Sequence, residues 1–134
     1  MLGKPMVGEA VISIFGEEHR LHFDLAENSK SGEKRDATVR FLPPDTLGGL
    51  VLTQKDGSFS ASFGEFCISD ESLKKALDAI CLLSPFEPTE SGIAEDGRSF
   101  IVGNDGRRLV FSSDGRPEEL YFENIYVKIV WIEL

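Results

Sequence analysis

Two histidines, two cysteines and adjacent carboxylates such as Glu17-Glu18, Asp70-Glu71 and Glu118-Glu119 are the groups in this chain that acid–base, nucleophilic or metal chemistry would draw on. His19 and His22 lie in an alternating segment, where an odd offset sends side chains to opposite faces, so they cannot share a metal ion. No third histidine exists to complete a site, and a solvated strand position is the stronger account of each. Cys67 and Cys81 match no zinc or redox spacing, and neither has a histidine beside it in sequence. Two small apolar core thiols are preferred over a disulfide. The serines lack a nucleophile elbow. Glu17-Glu18 sits in a turn, Asp70-Glu71 at a helix start and Glu118-Glu119 ahead of a strand, and none has the spaced oxygens of a calcium loop. The expectation is a non-enzymatic protein with no metal and no cofactor.

A second set of groups recurs. Asp96-Gly97, Asp105-Gly106 and Asp114-Gly115 are spaced by nine residues, and Asp-Gly is a strong hairpin signal because glycine accepts the positive φ of a tight turn. Calcium-binding nonapeptide rolls need more glycine per repeat than is present. Gly103-Asn104-Asp105-Gly106 superficially resembles a phosphate-clamping loop, but it opens no helix. Arg98, Arg107, Arg108 and Arg116 gather around these turns in an otherwise acidic chain. Such charges usually solvate hairpin ends; the alternative is a docking patch for an anionic partner.

The elements that must position these groups are bounded by composition. With 134 residues, 41% hydrophobic and 28% charged, the chain suits one domain, residues 1–134, able to bury a continuous core. Fourteen Lys plus Arg against twenty-three Asp plus Glu give a net charge of −9, which repels nucleic acid and anionic membranes at long range. No apolar run is long enough for a membrane helix. Met1 to Met6 reads as a cut end, so an export signal or lipid-anchored tail ahead of it stays open.

Period-two alternation predicts an opening hairpin around Gly16-Glu17-Glu18, a third strand at Ala37–Phe41 stopped by Pro43-Pro44, a fourth from Leu50 and a fifth through Phe59, Ala61 and Phe63. From Ser69 to Ser84 the period becomes 3.6, predicting one long amphipathic helix over about 70–84, capped by Ser69 and ended by Pro85. The Asp-Gly turns then predict a meander ending in a long strand from Ile125 to Leu134 whose Ile125, Val127, Ile129 and Trp131 share a face. The fold class expected is α+β, a curled antiparallel sheet of about nine strands with the helix packed on its concave face. Nine strands at ~4.8 Å spacing span roughly 40 Å, against the ~10–12 Å width of one helix. The uncovered apolar face is closed by curling and its own aromatics, or by a hydrophobic ligand or partner.

The order of elements resembles the LolA/LolB-type lipoprotein carrier superfamily. The local match is Val39-Arg40-Phe41-Leu42-Pro43-Pro44-Asp45-Thr46-Leu47-Gly48-Gly49-Leu50-Val51, similar to a segment that Gram-positive relatives place between strands. Phe63-Gly64-Glu65-Phe66 and Gly115-Arg116-Pro117 extend the likeness. The resemblance implies a half-barrel in the cell envelope, exported and often lipid-anchored, that holds a lipid or lipoprotein segment in its concavity. The chain departs from the Gram-negative carriers in being shorter and having a single convincing helix. Phe41, Phe59, Phe63, Leu77, Ile80, Phe111 and Trp131 are the expected ligand-lining residues, with Arg98, Arg107, Arg108 and Arg116 as partner-docking residues. The alternative is a protein-interaction module, an envelope or spore-associated lipoprotein with a fully packed core. A hydrolase on another fold is the third class, opposed by the missing catalytic set.

Overall fold

The computed structural model of the chain describes residues 3–14, 16–27, 35–43, 47–68, 70–84 and 86–133. Eleven strands form one sheet: β1 (Met6–Ile14), β2 (Glu17–Leu25), β3 (Ala37–Phe41), β4 (Leu50–Lys55), β5 (Ser58–Phe63), β6 (Phe66–Ile68), β7 (Pro88–Ile93), β8 (Ser99–Gly103), β9 (Arg108–Phe111), β10 (Pro117–Phe122) and β11 (Ile125–Glu133). A 3-10 turn (Glu71–Leu73) and the helix α1 (Lys74–Cys81) separate β6 from β7. The spatial order is β6-β5-β4-β3-β2-β1-β11-β10-β9-β8-β7, and every neighbouring pair is antiparallel. Two meanders are therefore zipped together by their first and last strands, with the helix bridging the two outer edges in sequence.

This corrects the expected fold class in two respects. Among the described residues the sheet has eleven strands, not about nine, and no long helix of the kind expected to plug a half-barrel is present. The α-helical segment is only eight residues, because its first turn is 3-10 and Leu73, at its N-cap, supplies no side-chain cap. Ser69 and Pro85 lie outside the described residues; Asp70 takes the capping role expected of Ser69, its carboxylate accepting from the Ser72 backbone N–H at 3.0 Å and the Ser72 hydroxyl at 2.6 Å. At the other end Leu83 N–H donates to the Ile80 carbonyl at 3.0 Å, tightening the last turn. The strands not foreseen are β6, with only three residues, and β7, whose Pro-Thr-Glu-Ser-Gly composition carries no apolar alternation.

Alternation sets the core elsewhere. On β1, Met6, Ala10, Ile12 and Ile14 are buried on one face while Val7, Glu9, Val11 and Ser13 are half-exposed on the other. The same side of β2, β3 and β4 contributes Leu21, Phe23, Leu25, Val39, Phe41, Leu50 and Leu52, and α1 lays Ala76, Leu77, Ala79 and Ile80 against them. The helix runs closest to β3, β4 and β11. Since β2 and β1 separate β3 from β11, those walls would stand ~14 Å apart in a flat sheet, so the sheet bends around the helix.

Candidate binding groove

The three Asp-Gly repeats fold into the same loop. Ala94, Gly103 and Ser112 each donate their N–H to the carbonyl four residues on, at Arg98, Arg107 and Arg116, with 2.8 Å in every case. Gly97, Gly106 and Gly115 take φ between +85° and +91° and donate back to Ala94, Gly103 and Ser112. This is a type I turn closed by a left-handed glycine. It also fixes an arginine two residues after each aspartate. Asp96 accepts Arg98 N–H at 3.1 Å and Nε at 2.8 Å, and Asp105 accepts Arg107 N–H at 3.0 Å and Nε at 2.8 Å. The third copy is looser, with Arg116 Nε 3.6 Å from Asp114. These bonds hold all three carboxyls below the usual carboxylate range: chiefly the Arg98 backbone N–H for Asp96, the Arg107 side chain for Asp105 and the Ser112 hydroxyl for Asp114.

The arginines then diverge. Arg98 Nη1 lies 2.9 Å from both Glu118 and Glu119, so it gathers three carboxylates and its ionisation is pushed up, chiefly by Glu118. Arg107 Nη1 donates to the Leu82 carbonyl at 2.9 Å, tying the β8–β9 loop to the end of α1, and its guanidinium lies 4.8 Å from the Phe86 ring centre. Arg108, on the strand, lies 5.0 Å from the ring centre of Phe100 and 6.0 Å from that of Tyr121. Arg116 Nη1 donates to the Ile132 carbonyl at 3.1 Å. Of the four expected docking residues, Arg98 and Arg116 meet at one groove, and Arg107 and Arg108 point elsewhere.

That groove has a volume of about 570 Å³ and opens where β11 is bulged. Glu9 pairs with Trp131 and its neighbour Ala10 with Ile129, leaving Val130 as an extra residue. The bulge breaks the alternation: Val127, Ile129 and Ile132 are buried, whereas Val130 and Trp131 are 45% and 41% exposed. Trp131 lines the groove with Val130, Lys128, Arg98, Arg116 and Glu118. Its ring lies 6.1 Å from His22, and its indole, after the dominant Arg20 bond at 2.8 Å, helps hold Glu9 below the usual carboxylate range. Behind the rim, Tyr126 donates its hydroxyl to Glu119 at 2.5 Å and sits 4.9 Å from Tyr121; burial first, then that carboxylate, pushes its ionisation up.

The expected ligand-lining residues separate into two groups. Phe41, Leu77, Ile80 and Phe111 belong to one packed cluster, with Phe59 half-buried against it. Phe63 and Trp131 are exposed and lie outside that cluster. His19 and His22 do fall on opposite faces, but His19 is buried, edge-on to Phe41 at 5.6 Å with Nε2 3.3 Å from Glu17. The cysteines are free; Cys81 packs on the core, and Cys67, expected there too, is exposed on β6. Among the described residues no three His, Cys, Asp or Glu side chains are placed to hold a metal, and no helix is long and apolar enough to cross a membrane. Of the other residues lining the groove, Lys128 and Val130 are not among the expected site residues, and Glu118 enters the sequence reading only as a charge ahead of a strand. The doubled apolar pattern of Ile129-Val130-Trp131-Ile132, which fits neither strand face, is the signal that marks the bulge.

No protein-family model matches the chain, and no curated protein matches it. Among solved structures it is similar to the crystal structure of an uncharacterized conserved protein from Thermus thermophilus, at 15% identity and a TM-score of 0.57, over 98% of this chain and 79% of that one. At that identity the likeness concerns the fold alone.

Proposed function

We propose that this chain is a non-catalytic protein-interaction module of the cell envelope, docking a protein partner through the Trp131 groove. The observation that carries the reading is the bulge at Val130, which turns an aromatic and an aliphatic side chain out of the core into a recess rimmed by Arg98, Arg116 and Glu118. Tryptophan and arginine supply much of the energy of protein interfaces, and an apolar floor with a charged rim is the usual layout of their centres. The envelope location rests on the resemblance to lipoprotein carriers. Two experiments bear on it. A photocrosslinking residue in place of Val130, expressed in the source cell, is expected to give one discrete protein adduct that Trp131→Ala removes, while the same residue in place of Thr53 gives none; equal adducts from both positions would overturn the assignment. A fluorescent fatty acid titrated onto the chain tests the carrier reading: saturable uptake lost in Leu77→Lys would replace partner docking with a hydrophobic ligand held among Phe41, Leu77, Ile80 and Phe111.

A further inference from the structure

Among the described residues no strand lies beyond the β7 edge of the sheet, and the chemistry of that edge specifies what would pair there. In the β7–β8 hairpin Ala94 and Arg98 form the closing hydrogen-bonded pair, and antiparallel ladders alternate bonded and non-bonded pairs. Gly92 opposite Phe100 and Glu90 opposite Val102 therefore bond across the hairpin. Ser91 opposite Ile101 and Ile93 opposite Ser99 direct their N–H and C=O groups away from β8, toward the open side. A bulge at Thr89 and the ring of Pro88 spoil the first part of the edge, so the usable stretch is Ser91–Ile93. Apart from Gly92, half-covered by the Phe100 ring, every residue of β7 is exposed, and Ile93 at 77% exposure is the most exposed large hydrophobic group among the described residues.

Charge narrows the occupant. Residues 86–97 carry Glu87, Glu90, Glu95 and Asp96 and no basic side chain. The nearest cations are already engaged: Arg98 is held by Asp96, Glu118 and Glu119, Arg107 by Asp105, the Leu82 carbonyl and the Phe86 ring, and Arg108 lies over Phe100, on the β8 side of Gly92 and away from the open edge. A second copy of this strand would bring like charges together across the new ladder, which opposes self-pairing. We infer that the β7 edge accepts an extended, lysine- or arginine-bearing peptide segment as a twelfth strand. The outward groups of Ser91 and Ile93 form the ladder, Ile93 packs one apolar side chain, and the carboxylates select the charge. This does not depend on the Trp131 groove and stands or falls separately.

The test is a short labelled peptide of alternating Lys and Val, titrated onto the full chain by fluorescence anisotropy with the amide resonances followed by NMR. The wild-type chain is expected to bind it with shifts centred on Ser91 and Ile93. The same peptide N-methylated at alternate amides keeps its charge but loses ladder donors, and is expected to bind about tenfold more weakly. A Glu–Val peptide is expected not to bind. Ser91→Pro removes a donor that does not serve the β7–β8 ladder, so the hairpin remains paired while binding falls by about tenfold. Should that variant fail to fold, Glu90→Lys reads the same edge: it is expected to weaken the Lys–Val peptide and admit the Glu–Val one. Equal binding of the methylated peptide, shifts centred away from β7, or unchanged binding by folded Ser91→Pro or by Glu90→Lys would overturn the inference. Self-association abolished by Ser91→Pro would put a second copy there and overturn it as well.

Discussion

The guanidinium of Arg35 donates to the carbonyl of Leu83 at 2.5 Å, forty-eight residues away, and does so almost fully buried. The same group donates to the carbonyls of Ala26, at 2.6 Å, and of Lys4, so one side chain ties the β2–β3 connection, the chain ahead of β1 and the end of α1. Its own carbonyl accepts the buried Gln54 amide at 2.6 Å. Burial lowers its pKa, yet a guanidinium remains charged wherever proteins fold. Arg35→Met keeps much of the apolar stem and strands those carbonyls, each worth ~1 kcal/mol or more when left unpaired. A loss of about 3 kcal/mol is expected in urea unfolding, while Arg40→Met, on an exposed position of β3, should cost under ~0.5 kcal/mol.

Gly103 and Phe86 form a second link between the helix connection and the far meander. A Cβ at Gly103 would fall 2.5 Å from the Phe86 ring, which also faces Arg107. Gly103→Ala is expected to cost ~1–3 kcal/mol by overpacking. In a Phe86→Ala background the same change should cost less than half as much, because the ring it strikes is gone. Additive costs in the double-mutant cycle would rule out this contact as the cause.

Most strands were legible because alternation and Asp-Gly turns are local signals. Asp96, Asp105 and Asp114 mark their hairpins in the sequence, and β1 to β5 and β8 to β11 lie where their apolar period puts them. The misreadings come from two sources. Helical periodicity from Leu73 to Leu83 records which residues are buried, not how long the α-helix runs, so an eight-residue helix flanked by a 3-10 turn and a tightened last turn has the same pattern as a long one. Nonlocal pairing is the other: β7 exists through the register of β8, and Trp131 faces outward because Val130 has no partner opposite it. Nothing local in the sequence sets Arg35 apart from its polar neighbours, and only the folded chain brings Leu83, Ala26 and Lys4 to it.

The paired aspartates give stability a defined pH dependence. Asp96, Asp105 and Asp114, with Glu9 beside Arg20, all have folded pKa values below their unfolded ones. Between those values the unfolded chain binds more protons, so stability rises with pH there, is complete above the unfolded pKa of about 4, and is lost as pH falls through the folded values. The urea midpoint should be flat from about pH 6 to pH 5 and should drop below about pH 4. Asp105→Asn should lower the midpoint at neutral pH and flatten the acid limb; an unchanged limb would show that these pairs do not set it.

The two cysteines should differ in reactivity. Cys67 is exposed on an edge strand, whereas burial pushes the Cys81 thiol up to about 12, with Asp78 adding to the shift. Only thiolate reacts with iodoacetamide. At about pH 8 mass spectrometry should find a single rapid adduct, mapped to Cys67, with Cys81 modified only at the rate of unfolding. Two adducts forming together in the folded chain would contradict the packing of Cys81, the last residue of α1, against the core.

The bulge itself can be removed. Deleting Val130 takes out the residue with no partner and leaves Ile129 opposite Ala10, Trp131 opposite Glu9 and Ile132 opposite Gly8, so β11 runs in strict alternation with Trp131 still outward and Ile132 still inward. The expected result is a folded chain that loses no more than about 2 kcal/mol in urea unfolding, the cost of relaxing the local bend. Val130→Ala, which keeps the bulge, should cost under ~1 kcal/mol because that side chain is 45% exposed. Trp131 is the only tryptophan, so its emission reports the outcome directly. It should be quenched freely by acrylamide in the parent chain, in Val130→Ala and in the deletion; a Trp131 shielded from acrylamide in the folded deletion would mean that its pairing with Glu9 does not set its orientation.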